Sequence, residues 1–519
     1  MSREARKIFC TRETMLEQLH ACRGPNGLSA SDNTGRFGGK LFVRDTKHVV
    51  RDVMHLPGLA SFCRNMFSAV AQWQGTECNE TTNELPNAMP HEVFRQFIGG
   101  IGVSHEHIER AETTTKKWGI QLNVHPEYGR YYVTYNSSDA APLYLIALAE
   151  YCQLYGRHVL SDVFKHQLTG SNRTVAQAAH RCVEFLLDGI KTGETAGHGL
   201  YAVPNTNPLQ TSPSGVMRDG FDAYYHADGK PVNYSLVAYI ENQALVYEAL
   251  HVAADILFMD DLDAARWRGV AEELRRRTVE KLWITDEAFF AAAHDSSGPV
   301  AMRSSAAFEL LDGPFFVGLP DGPEYVRALV ERLYSQEFMT PVGVRMTSRA
   351  HRLLEGDYWA YQGVRAVWPV TTNTITNGLR YWGMPQLAYD LGVRRLIGGL
   401  NRLGHATELM YVDDVSGRPL FHPEMITTLS PQYRRVAYPA ELGQTTQSWT
   451  VSAVLRQLSQ QSKTSLGVAA WQTVLDQKVA SAARNFPTAD HIPHLHMPID
   501  LEHGKILKRR RAEQLGYAA

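Results

Sequence analysis

The segment GVMRDGFDAYYHADGK, residues 215–230, places Asp219, Asp222 and Asp228 among glycines and aromatic residues. Carboxyl groups beside apolar side chains hold a proton more tightly than carboxyl groups in water, because burial disfavours their charged form. A carboxylic acid that stays protonated near neutral pH can act as a general acid. The segment therefore predicts a proton-transfer site, and a solvated loop is the simpler alternative.

A second carboxylate stands out in the segment ATELMYVDDVSGRP, where Glu408 lies in a long connection after a predicted helix. A single glutamate in a loop is usually solvated, so this residue indicates little when taken alone. Its large separation from Asp222 in the sequence is what two residues on opposite walls of one pocket would have. The two carboxyl groups are therefore a candidate pair.

Two motifs have the chemistry for binding polyhydroxylated molecules. Arg44 and Asp45 in LFVRDTKHVVRD precede a predicted helix. A guanidinium donates in a fork and a carboxylate accepts, which together match vicinal hydroxyl groups. The segment GDYWAYQGVRAVWP offers aromatic faces on which a sugar ring can stack, although core packing is the commoner use of such residues. An ordinary acidic residue at a helix start remains the alternative for Asp45.

Two further motifs have an adequate structural explanation of their own. His91 and Glu92 in NELPNAMPHEVFRQ follow a proline and fit the beginning of an element. Asp139 in GRYYVTYNSSDAAPLYL stands directly before an apolar helical run, which predicts a helix N-cap. Neither motif indicates a functional site without support from the rest of the sequence.

The elements that must position these residues are mainly helical. Short strands or hairpins are predicted over 129–138 and 289–302. The apolar periodicity predicts helices over 10–23, 46–74, 103–118, 141–156, 174–190, 235–258, 261–283, 305–312, 323–336, 369–382, 385–402, 446–461 and 467–485.

These helices are of two kinds. AAPLYLIALAEYCQLY is apolar nearly all round, whereas DLDAARWRGVAEELRRRTVEKLW has one apolar stripe and a charged face. A helix that is apolar on all sides is buried, and a helix with one stripe lies at the surface. Their alternation predicts an all-α (α/α)6 toroid with long active-site loops at one end and a few short strands; an open helical solenoid is the alternative. We expect one catalytic domain over 1–486 and a C-terminal extension over 487–519.

The composition excludes several classes of partner. With 52 Lys and Arg against 54 Asp and Glu, the chain has no charge excess for nucleic acid or a membrane surface. Six scattered cysteines without CxxC spacing indicate free thiols in a reducing compartment, so we expect a cytoplasmic protein. The histidines of HIPHLHMP lack regular metal-ligand spacing, and we expect neither metal nor cofactor. The oligomeric state stays open between a monomer and a homo-oligomer.

In sequence order, the motifs VRDT, PHEVFR, YYVTYNSSDAAPLYL, RDGFDAYYHADG, IENQALVY, YQGVRAVWP and TELMY resemble those of one group of enzymes. The group is the (α/α)6 glycoside hydrolases of the amylo-alpha-1,6-glucosidase (glycogen-debranching-like) type. Its relatives include mannosylglycerate hydrolases and processing alpha-glucosidase I. The resemblance covers roughly residues 38–460, and six or more motifs in the same order make it specific for the fold and superfamily.

The resemblance implies an inverting glycoside hydrolase that acts on an alpha-linked glucoside or mannoside. It implies Asp222 as the general acid and Glu408 as the general base, with Asp219 as the alternative acid. The substrate-binding residues that it implies are Arg44, Asp45, His91, Glu92, Asp139, His226, Glu241, Gln243, Trp359, Tyr361, Gln362, Arg365 and Trp368.

The chain departs from the group's motifs around the sugar. No tryptophan precedes the acid segment, where Val216 and Met217 stand, and Gln362 replaces the group's histidine. These changes leave the identity of the sugar open. Two alternatives on the same toroid are a sugar epimerase, which would need paired histidines such as His91 and His226, and a carbohydrate-binding pseudoenzyme.

Overall fold

The fold is described from a computed structural model. Asp222, Trp359, the predicted helix 467–485 and the C-terminal extension 487–519 lie outside the residues that it describes. The described residues are 8–24, 27–32, 37–98, 101–102, 105–126, 129–207, 215–219, 223–226, 229–230, 232–350, 361–413, 417–420 and 446–464.

Helices dominate these ranges, and none of the described helices is long and apolar enough to cross a membrane. All six cysteines are free thiols, and five of them are buried. The helices are α1 (Arg12–Ala21), α2 (Val43–Val53), α3 (Ala60–Ala71), α4 (His105–Trp118), α5 (Ala140–Tyr155), α6 (Val175–Thr195), α7 (Ile240–Val252), α8 (Ala264–Leu282), α9 (Ala306–Glu309), α10 (Gly322–Leu333), α11 (Pro369–Tyr381), α12 (Pro385–Tyr389), α13 (Gly398–Leu403) and α14 (Ser448–Thr464).

The helices pack in two layers. In the inner layer α2 contacts α5, α5 contacts α7, α7 contacts α9, α9 contacts α11, α11 contacts α14, and α14 contacts α2, so the contacts return to their starting point. The outer layer consists of α1 against α14, α3 between α2 and α5, α6 between α5 and α7, α8 against α7, α10 against α9, and α12 against α11.

Burial follows the two kinds of helix that the sequence predicted. In α5 all residues from Ala140 to Ala149 are buried, whereas α8 buries one stripe that includes Trp267 and Leu274. The exposed face of α8 carries charged pairs such as Arg276 with Glu273 and Glu280. A buried helix and a surface helix thus differ in sequence because only one of them has a solvent-facing side.

Several predicted helices differ from the observed elements, and three of them show why. The run 46–74 forms two helices, α2 and α3, because Pro57 cannot donate a backbone hydrogen bond and Gly58 adopts φ +82°. The run 235–258 begins as a strand over Leu236–Tyr239 and becomes helical only from Ile240. The run 305–312 keeps only the four residues of α9.

The strands are short and pair antiparallel. Hydrogen bonds join them in the orders β3-β4-β8-β7, β11-β12-β15-β16 and β19-β20-β21, with the others in two-stranded pairs. They are β1 (Arg23–Gly24), β2 (Gly27–Leu28), β3 (Lys40–Phe42), β4 (Glu92–Arg95), β5 (Phe97–Ile98), β6 (Ile101–Gly102), β7 (Asn123–His125), β8 (Gly129–Thr134), β9 (Val163–Lys165), β10 (Asn172–Thr174), β11 (Val203–Pro204), β12 (Leu236–Tyr239), β13 (Trp283–Ile284), β14 (Phe289–Phe290), β15 (Ala293–Asp295), β16 (Gly298–Val300), β17 (Met339–Thr340), β18 (Gly343–Val344), β19 (Ala366–Val367), β20 (Met410–Val412) and β21 (Pro419–Leu420).

Strands stand directly before the inner helices. β3 runs into α2, β12 runs into α7, and β19 precedes α11. Both regions predicted as strands or hairpins, 129–138 and 289–302, contain strands. The strand register fixes which loops meet at the beginnings of the inner helices: Phe42 pairs with Glu92, and Val367 pairs with Met410.

Candidate active site

The beginnings of four inner helices bond in pairs, α14 with α2 and α7 with α5, so the two helices of each pair begin at the same end. The Gln447 amide, next to the start of α14, donates to Asp45 on α2 at 2.8 Å. The Asn242 amide on α7 donates to the Ser138 hydroxyl before α5 at 2.7 Å. Helix N-termini carry a partial positive charge and favour anionic or hydroxyl-rich partners. Most of the candidate residues lie at this end.

Arg44 and Asp139 form a buried, two-pronged ion pair. Arg44 Nε donates to Asp139 Oδ2 at 2.7 Å, and Arg44 Nη2 donates to Asp139 Oδ1 at 3.0 Å. The Ser137 hydroxyl also donates to Asp139, and Arg44 Nη1 lies 3.9 Å from Asp219 Oδ2. Asp139 occupies the N-cap position of α5, but its side chain makes no capping hydrogen bond. Its carboxylate therefore serves Arg44 and not the helix end.

Asp45 points to a different neighbour from Arg44. Its carboxylate accepts a hydrogen bond from Gln447, and burial raises the pKa of Asp45 to about 7. Successive helical residues point about 100° apart, which explains why the two charged groups engage different partners. The structure thus places Arg44 and Asp45 at the same helix start without arranging them side by side as one fork.

His91 and Glu92 lie buried on β4 and directly before it. The Glu92 carboxylate lies 2.7 Å from Lys40 Nζ and accepts from the Tyr132 hydroxyl. Burial would raise the pKa of Glu92, but these two partners outweigh it and leave the pKa below its ordinary value. His91 Nδ1 lies 3.0 Å from Asn136 Oδ1, and burial lowers the pKa of His91 to about 4. His91 is therefore neutral near pH 7.

Glu241 and Gln243 have different surroundings although both lie in the first turn of α7. Glu241 Oε1 accepts from the Tyr224 hydroxyl at 2.7 Å and lies 3.9 Å from Arg218 Nε. Burial raises the pKa of Glu241. The Gln243 amide instead bonds backbone groups, donating to the carbonyls of Tyr201 and Tyr239 and accepting from the Tyr201 amide. Gln243 therefore braces the start of the helix.

His226 anchors the carboxylate-rich segment to the neighbouring hairpin. Its Nε2 lies 3.0 Å from Asp295 Oδ2, and Asp295 also accepts from the backbone amides of Asn233 and Ser297. Burial would raise the pKa of Asp295, but these hydrogen bonds outweigh it, so the pKa lies below its ordinary value. His226 and His91 engage different elements, with no contact between them among the described interactions.

Glu408 lies on the other side of the site, 2% exposed. The Tyr361 hydroxyl donates to its carboxylate, and the indole nitrogen of Trp368 donates to the Tyr361 carbonyl at 3.1 Å. The rings of Tyr361 and Trp368 meet edge to face with centroids 4.9 Å apart, and Trp449 lies 5.6 Å behind Trp368. Packing and hydrogen bonding together hold Glu408 in one orientation.

The segment that carries the aspartates lies against this second side. The Gln362 amide donates to the Met217 carbonyl at 3.0 Å. Met217, Trp368 and Leu409 belong to one buried apolar cluster. Arg365 contributes its backbone carbonyl, which accepts from Val412 at 3.0 Å. Met217, five residues before Asp222 in the chain, thus lies next to the residues that surround Glu408.

Several residues of this site were not predicted from the sequence. Gln447 and Trp449 flank the start of α14, and Lys40 and Asp295 partner the predicted Glu92 and His226. The segment TQSW, residues 446–449, lies at the start of α14 as VRD lies at the start of α2. That shared position at an inner helix start was the signal available in the sequence.

Comparison with known proteins gives one family match and a set of similar structures. Residues 191–416 match the sequence profile of the Mannosylglycerate hydrolase MGH1-like glycoside hydrolase domain. No curated protein sequence matches the chain. The matched region contains Asp222, Glu241, Trp368 and Glu408 and supports a glycoside hydrolase domain in this part of the chain.

The similar structures include the GH63 mannosylglycerate hydrolase from Thermus thermophilus. Its complex with Tris has a TM-score of 0.55 and 12% identity, over 86% of this chain and 99% of that chain. Its complexes with glucose and with Tris and D-glycerate have TM-scores of 0.53 and 0.54 at the same identity and coverage. At this identity the likeness shows a shared fold. The resemblance that the motifs indicated is thereby confirmed at the level of the group.

Proposed function

We propose that the protein is an inverting glycoside hydrolase that cleaves an alpha-linked glucoside or mannoside. The observation that carries this proposal is the buried Glu408, held by Tyr361, beside the segment that leads into Asp222. The closed sequence of inner-helix contacts supports an (α/α)6 toroid, with the site where those helices begin. The family match over residues 191–416 supports the reaction class.

The proposed mechanism divides the reaction between two carboxyl groups. Asp222 donates its proton to the glycosidic oxygen, and the bond from that oxygen to the anomeric carbon breaks. Glu408 removes a proton from a water molecule while the water oxygen bonds to the anomeric carbon from the opposite face. The products are a free sugar of inverted configuration and the aglycone alcohol. General acid and base groups of this kind each contribute about 10²–10⁴-fold.

Asp222 is a better acid in this proposal than Asp219. Asp219 Oδ2 lies 3.9 Å from Arg44 Nη1 and is about one third exposed. A neighbouring guanidinium favours the ionised form of a carboxyl group, and an ionised carboxylate has no proton to donate. Asp219 instead suits a role in holding Arg44 at the sugar site.

The sugar is proposed to lie between two groups of residues. Arg44 and Asp139 bind it on one side, and the aromatic pair Tyr361 and Trp368 binds it on the other. The buried carboxylates Glu92 and Glu241 have partners that fix their orientation, which favours recognition of hydroxyl groups without rearrangement. Five buried free thiols support a reducing compartment, and we place the reaction in the cytoplasm.

A hydrolysis screen tests the proposal. The panel holds alpha-linked glucosides and mannosides, including disaccharides and glycerate conjugates, because a similar solved structure binds glucose and D-glycerate. Release of free sugar by the wild-type protein and its loss in Glu408→Gln is the expected result. Glu324→Gln, at an exposed position on α10, is the matched control and should keep full activity. A folded protein that releases no sugar from any substrate would contradict the proposal.

A further inference from the structure

Two arginines outside the candidate active site lie close together on the outer layer of helices. Arg173 is in β10, directly before Thr174, the residue that caps the start of α6, and Arg181 lies farther along that helix. Seven residues make almost two full turns of an α-helix, so Arg181 lies on nearly the same face as Thr174 and about 10 Å beyond it. The two long side chains can therefore reach a common point beside the helix.

Neither guanidinium has a carboxylate partner within the ranges that the structure describes. Arg173 makes no hydrogen bond and no ion pair there, and its Nη1 is buried without an acceptor. Arg181 makes one contact, from its Nη1 to Asn87 Oδ1 at 3.4 Å. Glu184, farther along α6, is engaged by the Asn87 amide at 3.1 Å and by His180 at 3.5 Å. The two arginines thus form a doubly charged cluster without a neutralising group among the described residues.

The charges of this cluster repel each other. Burial lowers the pKa of Arg173, and the charge of Arg181 lowers it further. Burial, together with the charges of both arginines, also lowers the pKa of His166 to about 4. His166 is therefore neutral near pH 7, with its Nε2 2.7 Å from the Gln74 carbonyl oxygen. Like charges held close together cost free energy, and an anion bound between them would remove that cost.

The chemistry of the cluster favours a tetrahedral dianion. Each guanidinium presents a planar fork of N–H donors that matches two oxygens of a phosphate group. A phosphate group carries about −1.5 to −2 charges near pH 7 and has three strong acceptor oxygens. It can therefore neutralise both arginines and supply an acceptor for the buried Nη1 of Arg173. A chloride ion or a single carboxylate carries one charge and compensates only half of the cluster.

The cluster is separate from the candidate active site. The part of α6 from Arg181 to Thr195 is about 21 Å long. Only after the end of α6 does the chain reach Tyr201, whose amide donates to Gln243 and whose hydroxyl donates to the Ser138 carbonyl at the beginnings of the inner helices. A ligand between the two arginines therefore binds on the outer layer and leaves the sugar site free.

We propose that Arg173 and Arg181 form a binding site for a small phosphate-bearing molecule, in which both guanidinium groups donate to the phosphate oxygens. The ligand is either free inorganic phosphate or the phosphate group of a small metabolite, because the two present the same charge and the same oxygens. The site does not depend on the glycosidase proposal, since neither arginine belongs to the candidate active site.

Titration calorimetry of the whole protein at constant ionic strength tests the site. The probes are inorganic phosphate and glycerol 1-phosphate, with acetate and chloride as singly charged comparisons. We expect at least one of the phosphates to bind at least about ten-fold tighter than acetate or chloride, because a dianion satisfies both guanidinium groups. The phosphate that binds more tightly identifies the source of the ligand. Equal affinities for the phosphates and acetate, or no binding of either phosphate, would overturn the proposal.

Two variants connect the binding to the named residues. Arg173→Gln and Arg181→Gln each remove one guanidinium, so each should weaken phosphate binding by at least about ten-fold. Arg394→Gln is the control and should bind phosphate as the wild type does, because the Arg394 side chain is 70% exposed and lies elsewhere.

Urea unfolding of the same proteins gives a second measurement. All four should unfold cooperatively, and phosphate should raise the urea midpoint of the wild type and of Arg394→Gln, because a ligand that binds only the folded state stabilises it. The midpoints of Arg173→Gln and Arg181→Gln should stay nearly unchanged by phosphate. If either of these two variants is stabilised by phosphate as strongly as the wild type, the arginine pair is not the binding site.

Discussion

The inner helices carry charged side chains in two regions: at their beginnings, and in a cavity beneath, which Arg44, Lys47, Arg51 and Glu248 line. The two regions differ in how these charges are paired. At the helix beginnings Arg44 is bonded to Asp139, and Glu92 is bonded to Lys40. In the cavity, Lys47 and Glu248 make no direct hydrogen bond or ion pair with a described residue, and their charges attract each other and Arg51 or Asp312 only at longer range. The first region is held by direct contacts between opposite charges, and Lys47 and Glu248 in the second only by attraction at longer range.

This difference separates two uses of a buried charge. A partnered charge fixes geometry, and its loss leaves the other partner uncompensated, which is strongly destabilising. A buried charge without a direct hydrogen bond or ion pair recovers less of the free energy that its burial costs. Mutations should therefore have opposite effects on stability in the two regions.

The largest effect is expected for Glu408→Gln. The amide cannot accept a proton from water, so turnover should fall by about 10²–10⁴-fold. The loss should be equal for a natural disaccharide and for an activated aryl glycoside, because both need the attacking water. Steady-state kinetics with both substrates measure it. Asp222→Asn should differ by losing far less on the aryl glycoside, and equal losses there would argue against Asp222 as the acid.

The next effect is a loss of stability at the beginnings of the inner helices. Asp139→Asn leaves the buried Arg44 without its carboxylate, and we expect the free energy of unfolding to fall by about 3 kcal/mol. Asp162→Asn is the matched control, because Asp162 holds Arg64 with similar two-pronged geometry at the surface. That change should cost no more than about 1 kcal/mol. Urea unfolding of both variants measures the difference, and equal losses would show that burial does not decide the effect.

Lys47→Met should change the free energy of unfolding in the opposite direction, in the same urea experiment. Burial lowers the pKa of Lys47, which means that the folded protein holds this charge at a cost. A buried charge that has no direct hydrogen bond or ion pair costs the folded state free energy, and methionine removes that charge at similar length. We therefore expect the free energy of unfolding of the ligand-free protein to rise by about 1 kcal/mol. A loss as large as that of Asp139→Asn would abolish the distinction between the two regions.

Tyr361→Phe tests whether the hydrogen bond from Tyr361 holds Glu408 in position. The change keeps the ring that packs on Trp368 and removes the hydroxyl that holds Glu408. A hydrogen bond to a charged group is worth about 1.5–3 kcal/mol, so the free energy of unfolding should fall by up to that amount. We expect kcat to fall by about ten-fold or more, because Glu408 is no longer held in position. Tyr334→Phe, whose hydroxyl donates to the Leu387 carbonyl, is the control and should leave kcat unchanged.

A further effect on stability concerns pH. Burial raises the pKa of Asp45 to about 7, against about 3.9 in the unfolded chain. The folded protein therefore keeps a proton that the unfolded chain has released, and the stability from this proton is complete below pH about 4 and lost as the pH rises through about 7. In urea unfolding, the free energy of unfolding of Asp45→Asn should rise relative to that of the wild type as the pH increases from 5 to 8. If the free energies of unfolding of the variant and the wild type change equally with pH, the raised pKa of Asp45 is contradicted.

The sequence was informative where one helix or one motif decides the structure. The burial difference between α5 and α8 followed from their apolar patterns, and the motifs of the site residues pointed to the right group of enzymes. The partners of those residues were not predictable, because Asp45 and Gln447 are 402 positions apart and only the ring brings them together. Asp139 does occupy the predicted N-cap position of α5, but its carboxylate bonds the distant Arg44, and that contact was not predictable for the same reason. The cavity at Lys47 was not predictable, because the sequence of one helix does not show whether the space between the inner helices is filled.

The central claim is that two carboxyl groups on opposite sides of the site cleave a glycosidic bond with inversion. Proton NMR of the first-formed sugar tests it most directly, with a substrate taken from the hydrolysis screen. From an alpha-linked substrate the account predicts that the beta anomer appears first and mutarotates afterwards. Initial release of the alpha anomer would contradict it, because retention requires a covalent intermediate in place of the water held by Glu408.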